Sequence, residues 1–328
     1  MRDKPILTTL DYPQRDEWNE LAEVVRGSRM HVIRTMLKKA TPDRVVVLDG
    51  SPGIHAGNPD LAVAAMLGLR PKSRRPAVVM AEANWKPGAG LNGCARRLGM
   101  QTIGRGIDAF CVVSRHEEAV FASTWGLADH RIAYTPFYWT LSDDELAAPT
   151  TLGSRVFAGG NPMRDYGTLI EAVRPLDVQV TIATSRPDVV NRRDIPANVQ
   201  AGRIPHDRFM VELRDAGVVA VPLQSDTERS GGEQTYLNAM AMGKPVVVTD
   251  CPGVRDYVRD GETATVVPPK DPIAMRDAIS WALDPDNRSR VSAMAAAARA
   301  DVLSRFGPRQ WVESLIRVAS GVATQPFA

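Results

Sequence analysis

The run from Ser230 to Pro245, SGGEQTYLNAMAMGKP, concentrates residues able to do chemistry. Ser230 and Glu233 have the S-x-x-E spacing of a capping box, in which side chains and backbone satisfy each other's free groups. The pattern predicts a helix through Thr235, Leu237 and Met240, stopped by Gly243 and Pro245. Gly231 and Gly232 in its first turn would let a ligand approach the amides closely. Unpaired N–H groups and the helix dipole together make such a start attractive to anions. Taken alone, the same residues also describe an ordinary capped helix.

A second set of residues favours the anion reading. In Val156-Phe-Ala-Gly-Gly-Asn-Pro-Met-Arg164 a buried strand runs into Gly159 and Gly160, and a helix is expected from near Asp165. Arg164, in the strand-to-helix loop, can grip phosphate oxygens in pairs with a charge that does not titrate. Solvated, or paired with a nearby acid, it would do no chemistry. The two sets lie about 70 residues apart, each behind a strand, so both can face one cleft. Amides, a helix dipole and a guanidinium suit a diphosphate without a metal. No Asp-x-Asp segment is present, and Ser225-Asp-Thr227 reads as a loop after a strand.

The elements that must hold these residues alternate between short apolar runs and helical patterns, which predicts an α/β chain with parallel sheets. Strands are expected at 6–10, 45–48, 77–81, 109–113 and 132–135, then at 155–158, 178–183, 217–223, 245–249 and 265–267. The acidic, turn-rich stretch within 136–154 separates two Rossmann-like domains, 1–148 and 149–305, with a terminal helix at 306–328 packing back toward the first. Ligands of such sheets bind beyond the carboxyl ends of the strands. A net charge of +2 with scattered basic residues argues against nucleic acid. The basic run Arg70–Arg75 reads as a solvated loop, with membrane-surface or phosphate binding as the alternative. Cys94, Cys111 and Cys251 show no metal-ligand spacing, and no apolar run suits a signal peptide or a membrane span. The expectation is a cytoplasmic protein with at most peripheral membrane contact.

Several motifs in order resemble glycosyltransferase family four. They are Ala158-Gly-Gly followed by Arg164-Asp-Tyr-Gly-Thr-Leu-Ile-Glu-Ala172, Val221-Pro-Leu, Asn238-Ala-Met-Ala-Met-Gly-Lys-Pro-Val-Val-Val-Thr-Asp250, Gly253-Val-Arg-Asp-Tyr-Val258 and Thr265-Val-Val-Pro-Pro-Lys-Asp-Pro272. The resemblance implies the GT-B fold, two Rossmann-like domains facing across a central cleft. It also implies a retaining transfer from a nucleoside-diphosphate sugar, with no metal or other cofactor. By match, the diphosphate would sit on Gly231, Gly232 and Arg164, and the donor site would extend over Gly159, Gly160, Asn161, Gln234 and Thr235. The family carries two glutamates at the positions held here by Ser230 and Asn238. Asn238 can still hydrogen-bond a hydroxyl but lacks the charge. The sugar-facing carboxylate then falls to Glu228 or Glu233, or the donor sugar differs.

The first domain is expected to take the acceptor: a lipid, a saccharide, a small natural product or a protein. Its candidates are Asp49 and His55 in one loop, and Glu82, Asn84 and Trp85 in another. Glu82 could orient or deprotonate a hydroxyl. Trp85 could stack on a sugar or pack in the core, Asp49 could cap a turn, and His55 could be a plain surface residue. The G-x-G-x-x-G run Gly88–Gly93 invites a nicotinamide-cofactor reading, but four residues separate it from the preceding strand region. Two other readings remain at this stage: a non-catalytic nucleotide-sugar-binding or partner subunit, and a nicotinamide-dependent oxidoreductase.

Overall fold

Runs of Val, Ile and Ala that are buried on both faces pair in parallel, because a strand covered by helices on either side needs no polar face. In the computed structural model, which describes residues 4–11, 16–55, 57–227 and 229–323, they form two six-stranded sheets. The chain divides into two compact units, Met1–Pro136 with Pro308–Ala328, and Phe137–Gly307.

The first unit runs β1 (Ile6–Thr8), α1 (Asp16–Leu21), β2 (Ala22–Val24), α2 (Arg29–Lys39), β3 (Val45–Asp49), α3 (Pro59–Gly68), β4 (Ala77–Ala81), α4 (Gly90–Ile103), β5 (Ala109–Val112), α5 (Arg115–Trp125) and β6 (Ile132–Tyr134). Its strand order is β2-β1-β3-β4-β5-β6. The second unit runs α6 (Asp143–Ala147), β7 (Val156–Gly159), α7 (Tyr166–Val173), β8 (Val180–Ala183), α8 (Pro187–Val190), β9 (Val199–Gly202), α9 (His206–Asp215), β10 (Val218–Val221), α10 (Glu233–Ala241), β11 (Val246–Thr249), α11 (Val254–Tyr257), β12 (Thr265–Val267), α12 (Pro272–Leu283) and α13 (Arg288–Arg305). Its order is β12-β11-β10-β7-β8-β9. The last helix, α14 (Pro308–Val322), packs against β3, β4 and β5 of the first unit.

Both sheets reverse direction once, and the loops behind the two strands flanking that point are the natural place for a ligand. In the second unit these strands are β7 and β10, the ones that carry Arg164 and α10. In the first they are β1 and β3.

Two expectations need correction. β2 and β9 are strands that the apolar pattern did not reveal, and both lie at sheet edges. Edge strands are covered less completely and so carry a weaker apolar signature. Residues 137–148, assigned to the first domain, belong to the second unit. There the Phe137 amide donates to Tyr257 Oη (2.8 Å), and the Trp139 amide to the Phe306 carbonyl (3.0 Å). Among the described residues, no helix is long and apolar enough to cross a membrane.

Candidate functional site

At the reversal point of the second sheet, Arg164 forms a bridge with Leu223 that joins the loop behind β7 to the loop behind β10. Its side chain is 4% exposed and fixed by three bonds. Nε donates to the Gly159 carbonyl (3.0 Å), one terminal nitrogen to the Pro162 carbonyl (3.1 Å), and the other to Thr235 Oγ1 (2.9 Å) on the first turn of α10. These leave at most two of its five N–H groups for a ligand. Burial lowers its pKa, against the pull of Tyr166, Glu233 and Tyr236, but a guanidinium stays charged regardless.

Glycine is required on both sides of this guanidinium. A Cβ on Gly160 would lie 2.7 Å from Arg164 Nη2, and one on Gly232 would crowd Leu223 and Val221 at 3.0 and 3.1 Å. Both residues also hold positive φ, 109° and 91°. Gly159 and Gly231 serve packing instead. A Cβ on Gly159 would strike the Phe209 ring at 2.5 Å, and one on Gly231 would meet Met163 Sδ at 3.0 Å. Asn161 also has a local duty, its Oδ1 accepting from Thr184 Oγ1 and the Ser185 amide, both at 2.8 Å.

The expected capping box is absent. Gly232, in the left-handed conformation, is the N-cap of α10, and no side chain caps the helix. The Gly-Gly pair delays the helix start by two residues, which takes Ser230 out of capping range. Ser230 instead hydrogen-bonds the Glu233 carboxyl. That carboxyl is buried, and burial raises its pKa above the usual range, while Ser230, its own amide and Arg164 act the other way. Among the described residues, its Oε1 has no hydrogen-bond partner. Glu228, the other candidate, lies outside the described residues.

Asn238 is tied within the protein. Its Oδ1 accepts from the Thr140 amide (2.7 Å), and its Nδ2 donates to Thr140 Oγ1 (3.1 Å). Gln234, one turn earlier, donates to the same hydroxyl (2.9 Å). A cavity of about 520 Å³ opens beside this clamp, lined by Thr140, Gly160, Ile204, Phe209, Gln234 and Thr235 among others. Glu145, at its margin, caps α6 through Ser142 and meets His206 Nε2 at 3.3 Å. Burial works against Glu145, but its bonds to Ser142 and His206 hold the carboxyl below the ordinary range.

In the first unit the candidates separate. The loops behind β3 and β4 interlock where the Gly50 amide donates to the Ala81 carbonyl (2.8 Å), and a Cβ on Gly50 would lie 2.5 Å from that oxygen. Glu82 and Asn84 are half-buried there, Glu82 at a left-handed φ of 49°. Trp85 does not present a stacking face. Its ring is buried against Phe110, Phe121 and Trp125, and its Nε1 donates to the Gly50 carbonyl (2.7 Å). Asp49 caps the following turn by accepting from the Ser51 amide (2.8 Å). His55 is exposed and apart, its Nδ1 accepting from the Gly57 amide. The Gly88–Gly93 run is used in packing, since a Cβ on Gly93 would lie 2.3 Å from the Gly88 carbonyl.

Asp60, which no motif flagged, sits at the reversal point of the first sheet. It accepts from the Thr9 hydroxyl and from the Asp49 amide (3.2 Å). Burial raises its pKa from 3.8 to about 6, despite those bonds. Between these values the folded chain holds a proton that the unfolded chain has released, so this group's stabilisation is lost as pH rises through about 6. Asp60→Asn keeps the acceptor oxygen and removes the charge. Its melting temperature relative to the native chain should therefore climb between about pH 4 and pH 7. Parallel melting profiles across that range would refute the assignment.

Comparison with known proteins agrees with this architecture. Residues 162–285 match the family model described as "Glycosyl transferases group 1", a span that contains Arg164 and all of α10. A phosphatidyl-myo-inositol mannosyltransferase of Mycobacterium leprae is 31% identical over 198 residues, 56% of this chain and 50% of that protein. The match thus spans about half the length of that relative. Among solved structures, a glycosyltransferase from Rickettsia africae superposes with a TM-score of 0.66 at 11% identity, covering 98% of this chain and 91% of that one. Anabaena HepE in complex with UDP and glucose superposes with a TM-score of 0.67 at 14% identity, covering 97% and 100%.

The fold is GT-B. The match to the group 1 glycosyltransferase model lies within the second unit and spans its candidate site, in line with the resemblance. Thr140, Glu145 and Phe209 were missed, because only folding brings them to a site built from distant loops.

Proposed function

We propose that this chain transfers a sugar from a nucleoside-diphosphate donor to an acceptor hydroxyl, with retention at the anomeric carbon. The observation that carries the proposal is a buried, permanently charged Arg164 held between Gly160 and Gly232 at an uncapped helix start. Positive charge and free amides placed where a diphosphate departs stabilise the charge that develops there. The cavity beside Thr235 is large enough for a nucleoside, and the likeness to a protein seen with UDP and glucose fits that use.

As the bond from the anomeric carbon to the diphosphate breaks, Arg164 and the α10 amides take up the charge on the leaving oxygens. The acceptor oxygen bonds the same carbon on the face the diphosphate leaves, and its proton passes to a phosphate oxygen. Arg164 and the helix dipole fill the role a cation would have, so the proposal needs no metal. Glu233 Oε1, oriented through Ser230, is offered to a hydroxyl of the donor sugar. Glu82 is the acceptor-side counterpart, and the kinship with a phosphatidylinositol mannosyltransferase makes a lipid acceptor the first to try. With an α-linked donor, NMR of the product should show an α-glycoside. A β-product would overturn the retaining mechanism.

One observation supports a second reading, a nucleotide-sugar-binding subunit without transferase activity. Asn238 is engaged by Thr140 through both ends of its amide, and Ser230 by Glu233, and neither family carboxylate position offers a carboxylate to a donor. Donor binding with neither transfer nor slow hydrolysis, across lipid and saccharide acceptors, would select this reading.

A further inference from the structure

Helix α4 is amphipathic with its apolar stripe turned outward. Of its 14 residues only Gly93 and Met100 are buried. Leu91 and Leu98 are 89% and 67% exposed. At about 100° per residue, Leu91, Cys94, Ala95 and Leu98 fall within an arc of about 100°, opposite Gly93 and Met100. Arg96 and Arg97 flank that arc, one on each side. Leu69, 86% exposed, extends the apolar surface where Gly68, at the end of α3, abuts Gly106 just beyond α4.

The charge around this stripe is of one sign. From Leu69 to Ile107 the sequence holds eight Lys or Arg and a single acid, Glu82. Arg75 and Arg115 pair with Asp108 and Glu118. Among the described residues, no carboxylate pairs with Lys72, Arg74, Lys86, Arg96, Arg97 or Arg105. Unpaired cations around exposed leucines complement one surface in particular: anionic headgroups over an apolar interior. A nucleic acid would use the cations but gain nothing from the leucines, and this stretch offers no exposed aromatic for base stacking.

We propose that the outward face of α4, with the Leu69–Arg74 loop, docks on an anionic lipid bilayer. The leucines enter the interface, and the arginines lie at the headgroup phosphates. The proposal does not depend on the donor chemistry, since no residue of the stripe belongs to the candidate site.

Cys94 lies in the stripe and is exposed, whereas Cys111 and Cys251 are buried. An environment-sensitive fluorophore on Cys94 of the full chain should shift to the blue with vesicles of phosphatidylcholine and phosphatidylglycerol. With phosphatidylcholine alone it should not shift, and added salt should weaken the response. In sedimentation of the unlabelled protein with the mixed vesicles, Leu91→Gln with Leu98→Gln should weaken binding by about tenfold or more. Arg96→Glu with Arg97→Glu should do the same. Both pairs change exposed side chains, and unchanged melting temperatures confirm intact folding. No binding to the mixed vesicles, or binding that neither pair alters, would overturn the proposal. So would a dimer in sedimentation velocity that the leucine pair dissolves while vesicle binding is absent, or binding to duplex or single-stranded RNA without vesicle binding.

Discussion

Arg164→Ala should lower donor turnover, as kcat/KM, by about 10²–10³, the usual cost of removing one preorganised donor from a developing oxyanion. The guanidinium is already in place, locked to the Gly159 and Pro162 carbonyls and to Thr235, so it need not reorganise when the diphosphate departs. The same bonds mean that the substitution also destabilises the fold, since the buried Gly159 carbonyl and the part-buried Pro162 carbonyl each lose a charged donor. Two measurements separate these effects. Thermal unfolding reports the structural loss, while calorimetric titration of UDP and GDP below the melting transition reports the ligand contact. If folded Arg164→Ala binds nucleoside diphosphate and turns over donor within a fewfold of the native chain, the phosphate assignment is wrong.

Gly160→Ala should be nearly as damaging although it removes nothing. Alanine at a φ of 109° costs about 1–3 kcal/mol in backbone strain, and its Cβ would sit 2.7 Å from Nη2 and 3.1 Å from Cζ of Arg164. The guanidinium must move, so donor turnover should fall by at least about tenfold alongside the melting temperature. The double variant with Arg164→Ala is the decisive measurement. With the guanidinium gone, the alanine methyl collides with nothing of consequence, and the two activity losses should fall well short of adding. Additive losses would mean that Gly160 acts on donor binding without reference to Arg164.

Much of the site was legible in the residues because its parts are local. The Gly159–Arg164 loop and the glycines before Glu233 each follow a strand of continuous Val and Ala, so each could be placed at a strand end by pattern. Burial on both faces leaves a strong apolar run. The edge strands β2 and β9 left no such mark, because Ala22-Glu-Val24 and Val199-Gln-Ala-Gly202 keep polar residues and are less completely covered. Trp85 illustrates a different blindness. A tryptophan in a polar loop suits a sugar platform or a core equally well, and only the aromatic cluster from β5 and α5 chooses the core.

The sequence by itself determined two parallel sheets and the two strand-to-helix loops that carry a permanent cation and an anion-seeking helix start. Hydrophobic periodicity and glycine placement act within a few residues, so they survive in a linear reading. Tertiary structure alone decided that both loops leave neighbouring strands, β7 and β10, so that Arg164 lies between Gly160 and Gly232. It also moved the start of α10 to Gly232 and engaged Asn238 with Thr140, nearly 100 residues away. Which hydrogen bonds a polar side chain makes depends on what the fold brings within about 3 Å of it, and the chain's linear order does not encode that.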